Sequence, residues 1–289
     1  MKIHLVLVTY NRLFYTKKAL KSILEDKKED FILTIWDNAS SDGTQDYLKS
    51  INDPRINEII FSPKNIGQID AVNNIWSSSD AYLLGKLDND CVVTPGWTRI
   101  LSKAHQDIDN LGVVACWHFF EDDFDFNKAK HKIQEINGHK ILRHPWTCGT
   151  GFLIKRETYL KYSPMAGNAT TDFWIKLAKH NMINGFYYPL IFQEHMDDPK
   201  SQYSVLKDEE SFQTAKEFTA FISLQKLKTL QDMWKIRERI INNLLCSPWD
   251  VKYYIGWRGK IRNLKEKMRK LYIRLIWDNL KIKKHKLRD

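Results

Sequence analysis

Cysteine is scarce in this 289-residue chain. Cys91, Cys116, Cys148 and Cys246 stand far apart, with no Cys-x-x-Cys pair and no Cys/His zinc spacing. That excludes a disulfide framework and a zinc knuckle, and a reduced, cytosolic protein is the expectation. No run of 18 apolar residues occurs, so no transmembrane helix is expected. Met1-Lys2-Ile3-His4 lacks the apolar core of a secretory leader and runs directly into a strand-like segment. Internal repeats and low-complexity linkers are lacking too. With 43% hydrophobic residues the chain can still bury a sizeable core.

Charge of one sign is also missing from most of the chain. The net charge is +10, yet residues 258–289 alone hold 13 Lys or Arg against 3 Asp or Glu. The basic excess is therefore a property of the tail, and it points to an anionic partner such as a membrane surface or a nucleic acid.

What is present is an alternation. Short Val/Ile-rich runs at 3–9, 31–36, 56–62 and 81–87 read as buried parallel strands. Between them, 14–26, 44–51 and 66–77 carry helical spacing. A βαβαβαβ order implies a parallel sheet with helices on both faces, and ligands at the carboxyl ends of the strands. Polar clusters stand at three of those ends: Tyr10-Asn11-Arg12, Asp37-Asn38-Ala39-Ser40 and Asp88-Asn89-Asp90. Farther on, 112–120 and 185–192 read as strands, 121–125 as a solvated acidic loop and 172–179 as a helix. From about 208 the chain reads as mostly helix.

Asp88 and Asp90, with one residue between them just past a strand, aim two carboxylates into one crevice. Hard divalent cations such as Mn²⁺ or Mg²⁺ take oxygen ligands and bridge to phosphates. A bare Asp-x-Asp is common, and two solvated acids in a loop have the same spelling. The strand-end position is what favours the site.

The chain resembles the GT-A-fold glycosyltransferases of family 2 over roughly residues 1–200. The resembling segments are Val8-Thr9-Tyr10-Asn11-Arg12, Asp37 through Thr44, Asn65-Ile66-Gly67 through Ala71-Val72-Asn73, Asp88-Asn89-Asp90, Gly149 through Arg156, Thr171-Asp172, and Gly185 through His195. The resemblance implies an α/β, Rossmann-like, mostly parallel sheet with flanking helices over 1–203, followed by a basic helical extension over 204–289. Residues 1–95 would form the nucleotide-binding half and 96–203 the acceptor-side half.

Roles follow residue by residue from that resemblance. Thr9 and Tyr10 would line the base and ribose pocket, Asn11 and Arg12 would belong to the same donor-binding set, and Asp37 would accept a hydrogen bond from a uracil-like edge. Asn65, Gly67 and Asp70 would lie near ribose or diphosphate, with Asn89 beside them. Asp88 would hold ribose or a metal-bound water, Asp90 would be the direct metal ligand, and His195 would join it. An inverting transfer needs a base for the acceptor hydroxyl. The family uses a Glu-Asp pair where this chain has Thr171-Asp172, so Asp172 is the candidate. N-capping of the following helix is the structural alternative. Trp174 replaces a second acid and suggests an acceptor pocket. Gly149-Thr150-Gly151 is either a plain turn or a close approach of backbone to the donor sugar. Trp117 and Trp146 are candidates for sugar stacking or for core.

In the tail, Ile261, Leu264, Met268, Leu271, Tyr272 and Leu275 keep helical spacing amid Lys and Arg, with Trp257 and Trp277 nearby. A membrane surface, packing on the catalytic domain or a second subunit, and nucleic acid all fit such a helix. The expectation is an inverting hexosyl- or pentosyl-transferase. It would use a nucleotide-sugar donor, of UDP type, with Mn²⁺ or Mg²⁺. The acceptor would be a saccharide or lipid-linked glycan of bacterial surface polysaccharide assembly, and the enzyme cytoplasmic and peripheral on the inner membrane face. Glycosylation of modified DNA bases and binding without turnover are the competing readings.

Overall fold

A computed structural model of the chain describes residues 2–28, 30–166, 170–215, 219–261, 264 and 268. It forms two compact units, Met1–Ser247 and Pro248–Asp289.

The first unit opens with the expected alternation: β1 (Ile3–Thr9), α1 (Leu13–Glu25), β2 (Ile32–Asp37), α2 (Thr44–Lys49), β3 (Ile56–Phe61), α3 (Gln68–Ser78) and β4 (Leu83–Asp88). All seven residues of β1 are buried, because it lies inside the sheet with helices over both faces. After Asp88 the elements shorten: β5 (Cys91–Val93), α4 (Trp97–Asp107), β6 (Leu111–Ala115), α5 (Phe126–Ala129), β7 (Ile133–Ile136), β8 (His139–Arg143) and β9 (Phe152–Lys155). Then come α6 (Arg156–Tyr162), α7 (Thr171–Lys179), β10 (Ile183–Tyr188) and β11 (Gln193–His195). The unit closes with α8 (Glu209–Ala215), α9 (Ala220–Gln225) and α10 (Leu230–Cys246).

Nine strands form one sheet in the order β3-β2-β1-β4-β9-β6-β10-β8-β7. Its first four strands are mutually parallel, β9 runs antiparallel to both β4 and β6, and β6 and β10 are parallel. This is the mixed, mostly parallel sheet with flanking helices and a helical C-terminal region that the sequence implies. The strand expected over 112–120 ends at Ala115, and Trp117 then makes an isolated bridge to Phe192. A second sheet of two short strands pairs β11 antiparallel with β5, setting His195 opposite Cys91.

The boundary expected at residue 203 falls inside the first unit. Ile241, Leu244 and Leu245 of α10 belong to the main apolar core with Phe152, Trp174 and Phe186. The acidic stretch 121–125 is anchored as well: Asp123 accepts hydrogen bonds from Arg237 and Lys200, and within the stretch only Glu121 and Asp122 are exposed. In the second unit a 3₁₀ turn covers Val251–Tyr253 and residues 256–261 are helical. Leu271, Tyr272, Leu275 and Trp277, and most of the basic tail, lie outside the described residues. No described helix is long and apolar enough to cross a membrane.

Candidate active site

The loop after β1 turns with Asn11 and Arg12 both in the left-handed region, at φ 54° and 65°. Side chains rarely tolerate this geometry, so the surroundings must hold it. Asn11 N–H donates to Ser40 Oγ at 2.7 Å, and Asn11 Oδ1 accepts from Ser41 N–H at 2.8 Å. Asn89 Nδ2 donates to the Asn11 carbonyl and to the hydroxyls of Thr9 and Thr16, at 3.0–3.2 Å. These contacts change two expectations. The amide of Asn89 and the hydroxyl of Thr9 are buried and turned inward, so they brace the loop and line no ligand pocket with their side chains.

The braced loop delivers Arg12 to the carboxylates. Its guanidinium donates to Asp90 Oδ2 at 3.2 Å, binds both oxygens of Asp197, and lies 4.2 Å from the Tyr15 ring centroid. Burial opposes its charge, but Asp197 and Asp90 outweigh burial and raise its pKa. The Tyr15 hydroxyl donates to the carbonyls of Met196 and Tyr203, which ties α1 to the chain after β11.

Lys86 is fully buried and donates to Asp88 and, at 2.8 Å, to the Gly149 carbonyl. Asp88 N–H donates to Thr150 Oγ1 at 2.9 Å. Burial nevertheless pushes the Asp88 carboxyl up, against the pull of Lys86. Asp90 is held low: burial raises it, and His195 and Arg12 overcome that. His195 Nε2 stands 3.8 Å from Asp90 Oδ1, and Met196 N–H donates to the Asp90 carbonyl at 2.7 Å. Burial lowers His195, yet Asp90, Asp197 and Asp88 together raise it. Its Nδ1 accepts a long bond, 3.3 Å, from Asp197 N–H.

Ligand atoms of Asp90, Cys91 and His195 all lie within 4.8 Å of one another. Cys91 is fully buried, its thiol donates to Asp90 Oδ1, and burial pushes it well above its ordinary value. With no cation beside it the thiol stays protonated, whereas a bound cation would itself deprotonate the sulfur, so Cys91 counts as a potential third ligand. The carboxylate of Asp90 and the imidazole of His195, with Asp88 close by, give an O/N donor set that suits Mn²⁺. Asp88, Asp90 and Asp197 share this cluster with Arg12, Lys86 and His195, and a divalent cation would add to that positive side. To hold such an ion His195 would have to be neutral, offering one ring nitrogen and keeping its proton on the other.

The other expected residues are spread along the neighbouring strand ends. Asp37 is fully buried. Its Oδ2 accepts from Ser40 N–H and Gln45 Nε2, while Oδ1 has no hydrogen-bond partner among the described residues. Tyr10 is half-exposed beside it. Asn65 and Gly67 sit at the start of α3, tied to β2 through Ile66 N–H and Asn38 Oδ1, and Asp70 is exposed on the first turn of α3.

The Gly149-Thr150-Gly151 turn connects the cluster to Asp172. At φ 62°, with a Cβ that would overlap the Gln193 amide, Gly151 must be glycine. Thr170 Oγ1 lies 3.4 Å from where a Gly149 Cβ would be, and α7 begins one residue later, with exposed Asp172 in its first turn. Thr170 holds the cap position, so Asp172 is not the N-cap. Trp174 and Trp117 are fully buried against Phe152 and Phe186 respectively. Both are core, and neither forms a sugar platform. Trp146 is partly buried and packs edge-on to His144.

Sequence reasoning missed Lys86, Cys91 and Asp197. Lys86 had a signal: a lone Lys in an apolar strand, two residues before Asp88 and so on the same strand face. Asp197 had none, because its pairing with Arg12 depends on a loop.

The family model for glycosyl transferase family 2 matches residues 5–165, more than half of the chain. The chain belongs to glycosyl transferase family 2. An uncharacterized glycosyltransferase of Nostoc sp. is 28% identical over 116 residues, which cover 39% of this chain and 36% of that protein. The match spans about a third of the relative's length. Among solved structures, the mannosyltransferase PcManGT from Pyrobaculum calidifontis, in complex with GDP-Man and Mn²⁺, superposes with a TM-score of 0.57 at 17% identity. That superposition covers 86% of this chain and 72% of that one. TarS 1–349 from S. aureus gives 0.50 at 15% identity, over 85% and 81%. At such identities the likeness establishes the GT-A fold of this family 2 member.

Proposed function

We propose that this chain is an inverting glycosyltransferase. It moves a hexosyl or pentosyl group from a nucleotide-sugar donor, of UDP type, to a saccharide or glycolipid acceptor, in bacterial surface polysaccharide assembly. The observation that carries this reading is the gathering of Asp88, Asp90 and His195 at the ends of β4 and β11 in a family 2 fold. The unpartnered, buried Oδ1 of Asp37 supports a base-recognition role, since a uracil N–H would satisfy it.

In this reading residues 1–95 hold the nucleotide through Tyr10, Asp37, Asn65 and Gly67, and 96–203 present the acceptor. Arg12 acts through Asp90, fixing the carboxylate that faces the diphosphate. A Mn²⁺ or Mg²⁺ ion held by Asp90 and His195, with Asp88 beside it, would neutralise the charge that collects on the leaving diphosphate. Asp172 takes the proton of the acceptor hydroxyl as its oxygen bonds to the anomeric carbon and the sugar–phosphate bond breaks. One base suffices for such a single displacement.

The second unit supports a peripheral membrane role. Trp257, Ile261, Leu264 and Met268 are all exposed and recur at the spacing of one helix face. The basic residues of 258–289 would supply attraction to anionic lipid. Flotation with phosphatidylserine-containing liposomes should be lost on truncation after Ser247, and equal flotation of both forms would end this part of the reading.

Hydrolysis of a panel of UDP- and GDP-sugars, with and without Mn²⁺, tests the function. Wild type should hydrolyse a UDP-sugar slowly and Asp90→Ala should lose about 10²-fold or more, in the range of removing one charge-stabilising group. Tight nucleotide binding with no turnover across the panel would instead favour a binding protein.

A further inference from the structure

A cavity of about 590 Å³ opens on the α1 side of the cluster, within the size range of small-ligand sites. One wall is Arg12, Phe14 and Tyr15. The opposite wall comes from the chain after residue 204, including Val205, Glu210 and Thr214. No lining residue comes from the ends of β2 or β3, where the nucleotide is read above. Arg12 is common to this wall and to the Asp90 contact, so the cavity begins one side chain from the candidate cation site.

Phe14 and Val205 are unusual for a folded surface: they are 57% and 49% exposed, and both face this one space. Lys18 Nζ sits 4.9 Å from the Phe14 ring centroid, so the ring already holds one cation. Around the ring stand carboxylates and hydroxyls: Asp208, Glu210, Ser211, Thr214 and Thr219. The charge here argues against a phosphate. The guanidinium of Arg12 is spent on Asp197 and Asp90, and two further acids line the space. A neutral sugar fits both features. Its C–H face packs on an aromatic ring, and its hydroxyls donate to carboxylates.

We infer that this cavity, which lies outside the acceptor-side half, is a subsite for a neutral sugar ring of the acceptor distal to the reacting one, stacked on Phe14 and hydrogen-bonded from the α8 side. This rests on the transferase reading, and the test separates the two. Saturation-transfer NMR with methyl glycosides of glucose, galactose and N-acetylglucosamine reads the subsite. UDP binding with Mn²⁺, by thermal shift, and donor hydrolysis read the transferase.

Wild type should give saturation transfer to at least one glycoside, retained when UDP and Mn²⁺ are present. Phe14→Ala should reduce it at least fivefold and Phe14→Trp should keep it. Phe14 is a surface residue, so its loss does not threaten folding. Thr214→Trp, which fills the space from the other wall, should abolish it. Equal glycoside binding in wild type, Phe14→Ala and Thr214→Trp would overturn the inference. So would competition between glycoside and UDP, which would give the space to the nucleotide, or no saturation of any glycoside. A wild type that binds glycosides but neither binds UDP nor hydrolyses donors would leave the subsite standing and remove the transferase reading.

Discussion

Residues 3–88 and residues 189–247 reach the same site by different means. The first stretch is four parallel strands with helices between them, and apolar periodicity alone positions Asp37 and Asp88 at strand ends. The second has a three-residue strand, a loop and three helices that pack on apolar clusters, and ion pairs tie it to the site. Arg237, buried on α10, donates to Asp198 at 2.6 Å and to both oxygens of Asp123, while Asp198 N–H donates to the His195 carbonyl at 2.9 Å. Half of the candidate cation site is thus specified by hydrophobic pattern and half by a polar latch. The lesson is that the second half is the more fragile, since burying charges is favourable only while every partner is present.

Breaking the latch should give the largest effect. Arg237→Met leaves buried Asp198 without its cation and Asp123 with Lys200 alone, and we expect a loss of about 3–5 kcal/mol in urea unfolding. The triple change with Asp123→Asn and Asp198→Asn should recover much of it. An Arg237→Met protein as stable as wild type would erase the distinction between the two stretches.

A smaller loss should come where the two stretches touch, at the Gly151 turn. Gly151→Ala forces a left-handed alanine and an overlap with Gln193, at a cost of about 1–3 kcal/mol. Adding Gln193→Ala should return the steric part only, leaving the backbone part.

A pH titration sharpens the comparison further. Lys132 is fully buried and donates to the Leu244 carbonyl of α10, and burial lowers its pKa to about 7 from 10.5. Between those values the unfolded chain holds the proton that the native one has released. Stability should therefore rise with pH across that window, by up to about 1.4 kcal/mol per pH unit, and the gain should disappear below pH 7. Lys132→Met should flatten that rise in unfolding free energy measured from pH 7 to 10.

The smallest effect is expected in the pattern-built half. Lys2 and Asp80 form an exposed ion pair at 2.7 Å, and Lys2→Ala should leave the unfolding midpoint unchanged within error.

The same contrast explains what was legible in the sequence. The strand alternation, the family motifs and the strand-end acids Asp37, Asp88 and Asp90 could be read because periodicity and spacing encode them locally. Asn89 and Thr9 share those motifs, yet they face inward; a motif names a position and not the direction of its side chain. Trp117, open between sugar stacking and core in the sequence, and Trp174, which suggested an acceptor pocket, are both core. The Arg12–Asp197 and Arg237–Asp123–Asp198 pairings join residues 39 to 185 positions apart, and no local pattern carries them.

The central claim is that the pattern-built Asp90 and the latch-held His195 form one cation site. Titration of Mn²⁺ by electron paramagnetic resonance, with UDP present, tests it directly on wild type, Asp90→Ala and His195→Ala. The account predicts a single site in wild type, weakened at least tenfold by either substitution. Undiminished Mn²⁺ binding in His195→Ala would contradict it.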